Sequence, residues 1–296
     1  MKIELDRPVD LGLTLFPVRR GRLDPTMRLT PGEAWRATRT PEGPATTRLV
    51  ARGSTVTVRA WGPGAGWALA AARDLVGASD DDRGFTPHDP VVDGLRLRFR
   101  GLRLCRTNAV AEAIVPAILE QKVIGLEARR SYAALVRRLG EPAPGPLPGL
   151  LLPPDPAVLA RTPTWVFHRC NIERKRADTI RLAASYASRL DETAGLPPHA
   201  AYRRITALPG VGAWTAAEVG MVAFGDADAV SVGDYHLPHH VAWALAGEPR
   251  ADDARMLELL EPYRGHRGRV VRLIMAGGPS PPRYGPRLPL KQISGL

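Results

Sequence analysis

Leu208-Pro209-Gly210-Val211-Gly212 stands between two runs of helical period, and an acid, Asp234, follows 22 residues after Gly212. Proline cannot extend the first helix, and glycine tolerates backbone dihedrals closed to other residues, so Pro209, Gly210 and Gly212 predict a tight turn between helices. The helix expected from Ala213 would present its first amides at that turn with the positive end of its dipole behind them, which makes a phosphate site. The same glycines would serve equally in a plain pair of packed helices. Asp234 precedes a further helical run from Tyr235, where it would act as the cap, and a cap fixes the direction in which a carboxylate points. Asp226 and Asp228, in the same loop, read as solvated acids. Trp214, on the first turn after the hairpin, either walls a pocket that stacks on an electron-poor ring or fills core. Glu218, one turn later, is either a pocket acid or a surface charge.

These residues need a scaffold. Residues 46–61, TTRLVARGSTVTVRAW, alternate apolar and polar side chains about Arg52-Gly53-Ser54, the pattern of two strands and a tight turn. Leu11 to Val18 and Glu33 to Thr38 supply further strand candidates, and Trp67 to Val76 reads as a helix. From Asn108, expected as an N-cap, the period is helical, with Val110, Ile114, Ala117, Ile118 and Gln121 on one face and Pro116 interrupting or kinking the run. Helices are expected over 126–139, 173–190, 200–207, 213–224, 235–246, 252–260 and 267–275. Between them, residues 141–156 hold seven prolines, which excludes a regular element and predicts a semi-rigid connector. The fold class is α+β: a small N-terminal α+β domain with an antiparallel sheet over 1–100, an all-α region over 101–276, and a disordered or loosely packed Pro/Gly-rich tail over 277–296.

The chain has 296 residues, enough to bury a full core without a metal or disulfide. Cys105 and Cys170 are far apart, so thiolates alone build neither a zinc site nor an iron–sulfur cluster, and both are expected as buried thiols. No apolar run reaches membrane-span length and the N-terminal residues lack a signal-peptide stretch, so a cytoplasmic location near the nucleoid is expected. A formal charge of +11 favours polyanionic partners, though composition alone cannot choose among them.

LPGVGAWTAAEV, the loop after it and Val230-Ser231-Val232-Gly233-Asp234-Tyr235 together resemble the helix-hairpin-helix DNA glycosylase superfamily. AEAIVPAILEQKV, residues 111–123, resembles the helix leading to that family's strand-separating wedge, and Arg174-Lys175-Arg176-Ala177 resembles its KRA-containing helix. The resemblance covers most of the chain and is nearest to bacterial alkylpurine (3-methyladenine type II) glycosylases. It implies double-stranded DNA with damaged bases as the partner, a monomer, no required cofactor, and hydrolysis of an N-glycosidic bond in base excision repair. Asp234 would stabilise the sugar cation that develops in the transition state. A base alkylated at a ring nitrogen already carries positive charge and departs unaided, so one acid suffices where glycoside hydrolases use two. Bifunctional relatives carry a Schiff-base lysine two residues after the last hairpin glycine. Here that position is Trp214, which implies no strand cleavage.

On the same resemblance, the hairpin residues 208–212 bind the backbone, Trp214, Glu218 and Tyr263 line the base pocket, and Gln121 and Lys122 stand at the wedge. His266 lies in the same stretch as Tyr263. Glu218 departs from the aromatic residue usual in the branch, and Lys122 from its apolar plug. Backbone carbonyls of Thr206, Leu208 and Val211 would hold a structural monovalent cation. Arg174, Lys175, Arg176, Arg264, Arg267 and Arg269 are candidate phosphate contacts or solvated helix faces. Two other readings stand beside this one: release of a neutral base such as hypoxanthine or uracil, and a non-catalytic module that binds damaged DNA.

Overall fold

The computed structural model describes residues 1–282 and Ile293. Most of the expected 277–296 tail therefore lies outside the described residues. The N-terminal region contains β1 (Lys2–Glu4), α1 (Leu11–Thr14), β2 (Met27–Thr30), β3 (Glu33–Thr40), β4 (Gly43–Arg52) and β5 (Thr55–Trp61), followed by α2 (Ala65–Ala70), α3 (Ala72–Leu75) and α4 (Pro90–Arg98). The strands form one antiparallel sheet in the order β1-β5-β4-β3-β2. As the alternating pattern requires, β4 and β5 meet through a turn at Gly53-Ser54, and Gly53 takes a left-handed φ of 62°. Ile3, Leu49, Val56 and Val58 bury the inner face against Leu11, Leu15, Ala72, Leu75 and Cys105.

Leu11 to Val18 is not a strand. Asp10 accepts a hydrogen bond from the Leu13 amide at 3.0 Å and caps a short helix, and Leu11 and Leu15, four residues apart, share its buried side. The helix α4 was not expected either. Asp89 caps it and Pro90 opens it, and Val92 and Leu95 pack into the C-terminal helical core although they lie within the first hundred residues.

The remaining elements are α5 (Val110–Leu119), α6 (Gly125–Leu139), α7 (Pro156–Arg161), α8 (Thr164–Arg169), α9 (Arg174–Ser185), α10 (Ala187–Asp191), α11 (Pro198–Thr206), α12 (Ala213–Val219) continued by a π-helical turn to Phe224, α13 (Leu237–Ala246), α14 (Asp253–Leu260) and α15 (Arg267–Gly277). Eight of the ten residues of α5 are buried, so this helix is enclosed along most of its length and other elements arrange around it. Pro116 is accommodated within it without ending it. Asn108 is not its cap: Asn108 has a left-handed φ of 55° and its side chain bonds to Asp74 at 2.8 Å. The capping acceptor comes instead from α10, where Asp191 Oδ1 takes the Ala111 amide at 2.9 Å. At the other end Arg176 of α9 donates to the Leu119 carbonyl at 2.8 Å. On β3, Arg36 pairs with Glu112 at 2.6 Å, which ties the sheet to α5. The proline-rich connector carries only an isolated bridge between Pro142 and Leu151, and its Leu150 and Leu152 pack on Ala37 of the sheet.

Among the described residues the helices form two cores. One gathers α5, α6, α9 and α12 through Ile114, Ile118, Leu135, Ile180, Ala216 and Val219. The other joins α4, α13, α14 and α15 through Val92, Leu237, Val241, Met256, Leu260, Val270 and Ile274. The segment from Gly225 to His236 runs from the first to the second. Cys105 and Cys170 are free and buried. Among the described residues no helix is long and apolar enough to cross a membrane.

The run Asp80-Asp81-Asp82 includes a structural hub. Asp80, with its side chain 2% exposed, receives Arg269 of α15 at 2.6 and 3.0 Å and the Leu104 amide at 3.0 Å. Removing one partner of a buried ion pair strands the other charge at a cost of about 3–5 kcal/mol. Asp80→Ala is therefore expected to lower stability by roughly that amount in urea unfolding; a loss under about 1 kcal/mol would show that the pair does not fasten α15.

Candidate active site

The hairpin lies between α11 and α12. Leu208 donates to the Ile205 carbonyl at 3.2 Å and Val211 to the Leu208 carbonyl at 3.0 Å, and the buried Val211 side chain anchors the turn in the first helical core. The two glycines differ. Gly210 has φ 85°, and a Cβ there would come 2.6 Å from Thr179 Oγ1, so both conformation and space demand glycine. Gly212 has φ −99° and ψ −174°, extended backbone open to any residue, and a Cβ on it would meet nothing within 4 Å. Its lack of a side chain is not needed for folding. What it does is leave the mouth of α12 bare: Gly212 and Ala213 are exposed and no side chain caps the helix, whose first amides have no intrahelical acceptor. Of the three carbonyls expected to hold a cation, those of Thr206, Leu208 and Val211, the Leu208 oxygen already accepts the Val211 amide and offers its second lone pair.

Asp234 stands beside this mouth. Its Oδ1 accepts the amides of His236 at 2.8 Å and Leu237 at 2.9 Å, so it caps the start of α13 two residues later than the sequence suggested. Its Oδ2 accepts the indole N–H of Trp214 at 3.2 Å. The acid and the first turn of α12 are thus in direct contact across 20 residues. A tight turn delivers it: the Asp234 amide bonds to the Ser231 carbonyl at 3.2 Å, Gly233 takes φ 92°, and the Gly233 amide is held by Asp253 at 2.9 Å. The carboxylate is half-buried and directed by these donors.

Glu218 lies four residues after Trp214, on the same side of α12, and accepts a hydrogen bond from the buried Ser231 hydroxyl. Burial pushes its carboxyl up to about 7; the Ser231 bond and Arg20 oppose the rise, and the nearby Glu120 and Asp234 add to it. Sequence reasoning did not find Ser231, Asp253, Arg20 or Glu120 as parts of this neighbourhood, because only the folded loop brings them to it. It also passed over Tyr235, which is 79% exposed beside the acid and meets His236 and His239 edge-on with centroids 4.9 and 6.0 Å away.

Gln121 joins the hairpin. Its Nε2 donates to the Gly210 carbonyl at 2.9 Å and to Thr215 Oγ1 at 2.8 Å, so it braces the turn. Lys122 beside it is exposed with a left-handed φ of 55°. Tyr263 is placed elsewhere: it is buried in the C-terminal core, and its ring contacts are with Phe85 at 6.3 Å and His88 at 5.4 Å rather than with Trp214 or Glu218. His266 packs against Phe85 as well, its ring tilted at 55° with centroids 5.5 Å apart.

Asp226 and Asp228 are not solvated loop acids. Asp226 accepts from Tyr202 at 2.5 Å, and Asp228 takes the amides of Gly265 and Arg267 at 2.8 and 3.1 Å together with the Arg267 guanidinium. Several arginines are likewise committed. Arg176 is buried at the end of α5, Arg269 is bound to Asp80, Arg267 to Asp228 and Arg264 to Glu261, while Arg174 and Lys175 are exposed, with Arg174 3.7 Å from Asp178. Among the described residues a cleft of about 1380 Å³ opens at the other end of α5 from Gln121. Asp74, Glu112, Asp155, Asp191 and Glu192 line it against Arg39 and Arg161, an acidic balance that disfavours phosphate.

No protein-family profile and no curated protein matches the sequence. Solved structures do match in three dimensions. A 3-methyladenine DNA glycosylase of Archaeoglobus fulgidus superposes with a TM-score of 0.77 at 20% identity, over 93% of this chain and 97% of that one. An 8-oxoguanine glycosylase/lyase of Clostridium acetobutylicum, solved with double-stranded DNA, gives 0.69 at 12% identity over 93% and 96%. A 3-methyladenine DNA glycosylase of Schizosaccharomyces pombe, solved with abasic DNA, gives 0.51 at 15% identity over 63% of this chain and 91% of that one. The chain therefore has the fold of the helix-hairpin-helix DNA glycosylases.

Proposed function

We propose that this protein is a monofunctional DNA glycosylase that hydrolyses the N-glycosidic bond of alkylated purines in double-stranded DNA, with Asp234 as the acting carboxylate. The observation that carries the reading is the contact of Asp234 with Trp214 at 3.2 Å, next to a hairpin whose helix mouth is bare. The amides after Gly212 would hold one backbone phosphate. A flipped, electron-poor base would stack on the half-buried Trp214 indole. Asp234, already aimed by three N–H donors, would then face positive charge developing at C1′ without having to reorient. A base alkylated at N3 or N7 leaves as a neutral molecule, so a water adding to the sugar completes the reaction. This chemistry requires no cofactor. With an indole where a Schiff-base lysine would stand, no amine of the hairpin is offered to the sugar.

Asp234→Asn is expected to slow single-turnover release of 7-methylguanine by on the order of 100-fold or more while duplex affinity changes little. Release that persists undiminished would leave a non-catalytic damage-binding module as the better reading. Product DNA from the wild type is expected to break only after alkali; strands cut beforehand would contradict the monofunctional assignment. For the hairpin, Gly212→Ala fits the backbone and meets nothing, so its melting temperature is expected to stay at the wild-type value. The methyl would cover the helix mouth, and DNA affinity is expected to fall about tenfold, the equivalent of roughly 1.4 kcal/mol. Unchanged affinity would remove the phosphate from that site.

A further inference from the structure

A second carboxyl lies one turn along α12 from the indole whose N–H Asp234 accepts. Glu218 projects from α12 one turn beyond Trp214, and the hydroxyl that binds it, that of Ser231, belongs to the turn whose carbonyl receives the Asp234 amide. The two acids are therefore linked twice, through Trp214 on α12 and through Ser231 on the loop. Only one oxygen of Glu218 is engaged, since Ser231 donates to Oε1 and no other bond to this carboxyl is found among the described residues. A cationic leaving group has no use for a second acid. A neutral one does, because its glycosidic bond breaks only when a ring nitrogen is protonated as the electron pair arrives.

Resting on the reading that Asp234 acts at C1′, we infer that Glu218 is the general acid of this site, protonating a flipped neutral purine so that the chain also releases uncharged bases. In the step, the Glu218 O–H bond breaks and the proton goes to a ring nitrogen of the base. The C1′–N9 pair leaves with the base, and Asp234 faces the sugar cation. Water then adds at C1′ and its proton returns to the Glu218 carboxylate. The products are the free base and the abasic sugar, with no further reactant needed.

The groups facing Glu218 set the pH dependence. Glu120 from the end of α5 and Asp234 from the loop favour the protonated form, whereas Arg20, which pairs with Glu120 at 3.6 Å, and the Ser231 hydroxyl favour the charged one. Arg272 of α15, buried nearby, interacts with the Glu218 charge as well. With burial raising the carboxyl to about 7, the donor form is present at neutral pH and is lost as pH rises above it.

Release of hypoxanthine and of 7-methylguanine from matched duplexes, followed from pH 6 to 9, tests this. The wild type is expected to release both, with the hypoxanthine rate alone falling as pH rises above about 7. Glu218→Gln should lower hypoxanthine release by about 100-fold or more and flatten its pH profile, a loss at least about tenfold greater than any it causes in 7-methylguanine release. Ser231→Ala removes a bond that favours the charged form, so the alkaline limb should move to higher pH, a displacement that a purely structural role would not produce. Wild-type protein that frees 7-methylguanine and no hypoxanthine overturns the inference and leaves the glycosylase reading standing. So does a Glu218→Gln variant that loses both substrates equally, or neither. A wild type that frees neither base, or an Asp234→Asn variant that still frees both, overturns the glycosylase reading and the inference with it.

Discussion

Three N–H groups converge on one carboxylate at the crossing between two helical cores. Two of them are the amides of His236 and Leu237 at the entry to α13, which belongs to the C-terminal core; the third is an indole from α12, which belongs to the core around α5. Asp234 is thus held from both sides of the crossing, and its direction depends on how the two helices sit. The structure supports that relation at a distance. Arg176 and Asp191 pin the two ends of α5, Gln121 joins the loop after α5 to the hairpin, and Asp80 fastens α15 to the N-terminal region. Each of these contacts constrains an element that carries or adjoins the carboxylate. On the proposed reading, a site that meets developing charge without rearranging would need this kind of support.

The sequence revealed most where a local rule governs. The hairpin of strands about Gly53, the buried faces of α5 and α6, the glycine turn before α12 and the capping role of Asp234 all follow from period, turn chemistry and helix-end preferences acting over a few residues. It revealed least where the partner is remote. Asn108 looked like a cap because it precedes an apolar run, but the acceptor that serves α5 comes from Asp191, 80 residues beyond the Ala111 amide it binds. Leu11 and Leu15 fit strand alternation until Asp10 is seen to cap the chain into a helical turn. Tyr263 sits in the expected stretch of sequence, yet its ring turns to Phe85 and His88, residues that no local pattern could bring to it.

Charge shows the same division. An excess of basic residues suggested phosphate contacts on several arginine clusters, but Arg103, Arg176, Arg269 and Arg272 are buried, and each donates to carboxylates or carbonyls of the chain itself. Those guanidiniums hold segments together rather than meeting a partner. Composition counts every charge alike, and only packing separates internal fasteners from outward ones. The same holds for acids: Asp226 and Asp228 read as solvated in sequence and are structural clasps in the fold.

The Trp214 side chain does two things at once, and this bears on how chemistry diverges on a shared scaffold. At the position where the sequence resemblance implies a Schiff-base lysine in bifunctional members, this chain has a ring whose N–H restrains the neighbouring acid. Exchanging that ring for an amine would introduce a nucleophile and loosen the carboxylate in the same change. If the proposed hydrolysis is right, a change to covalent catalysis on this framework would leave the acid held by the His236 and Leu237 amides alone.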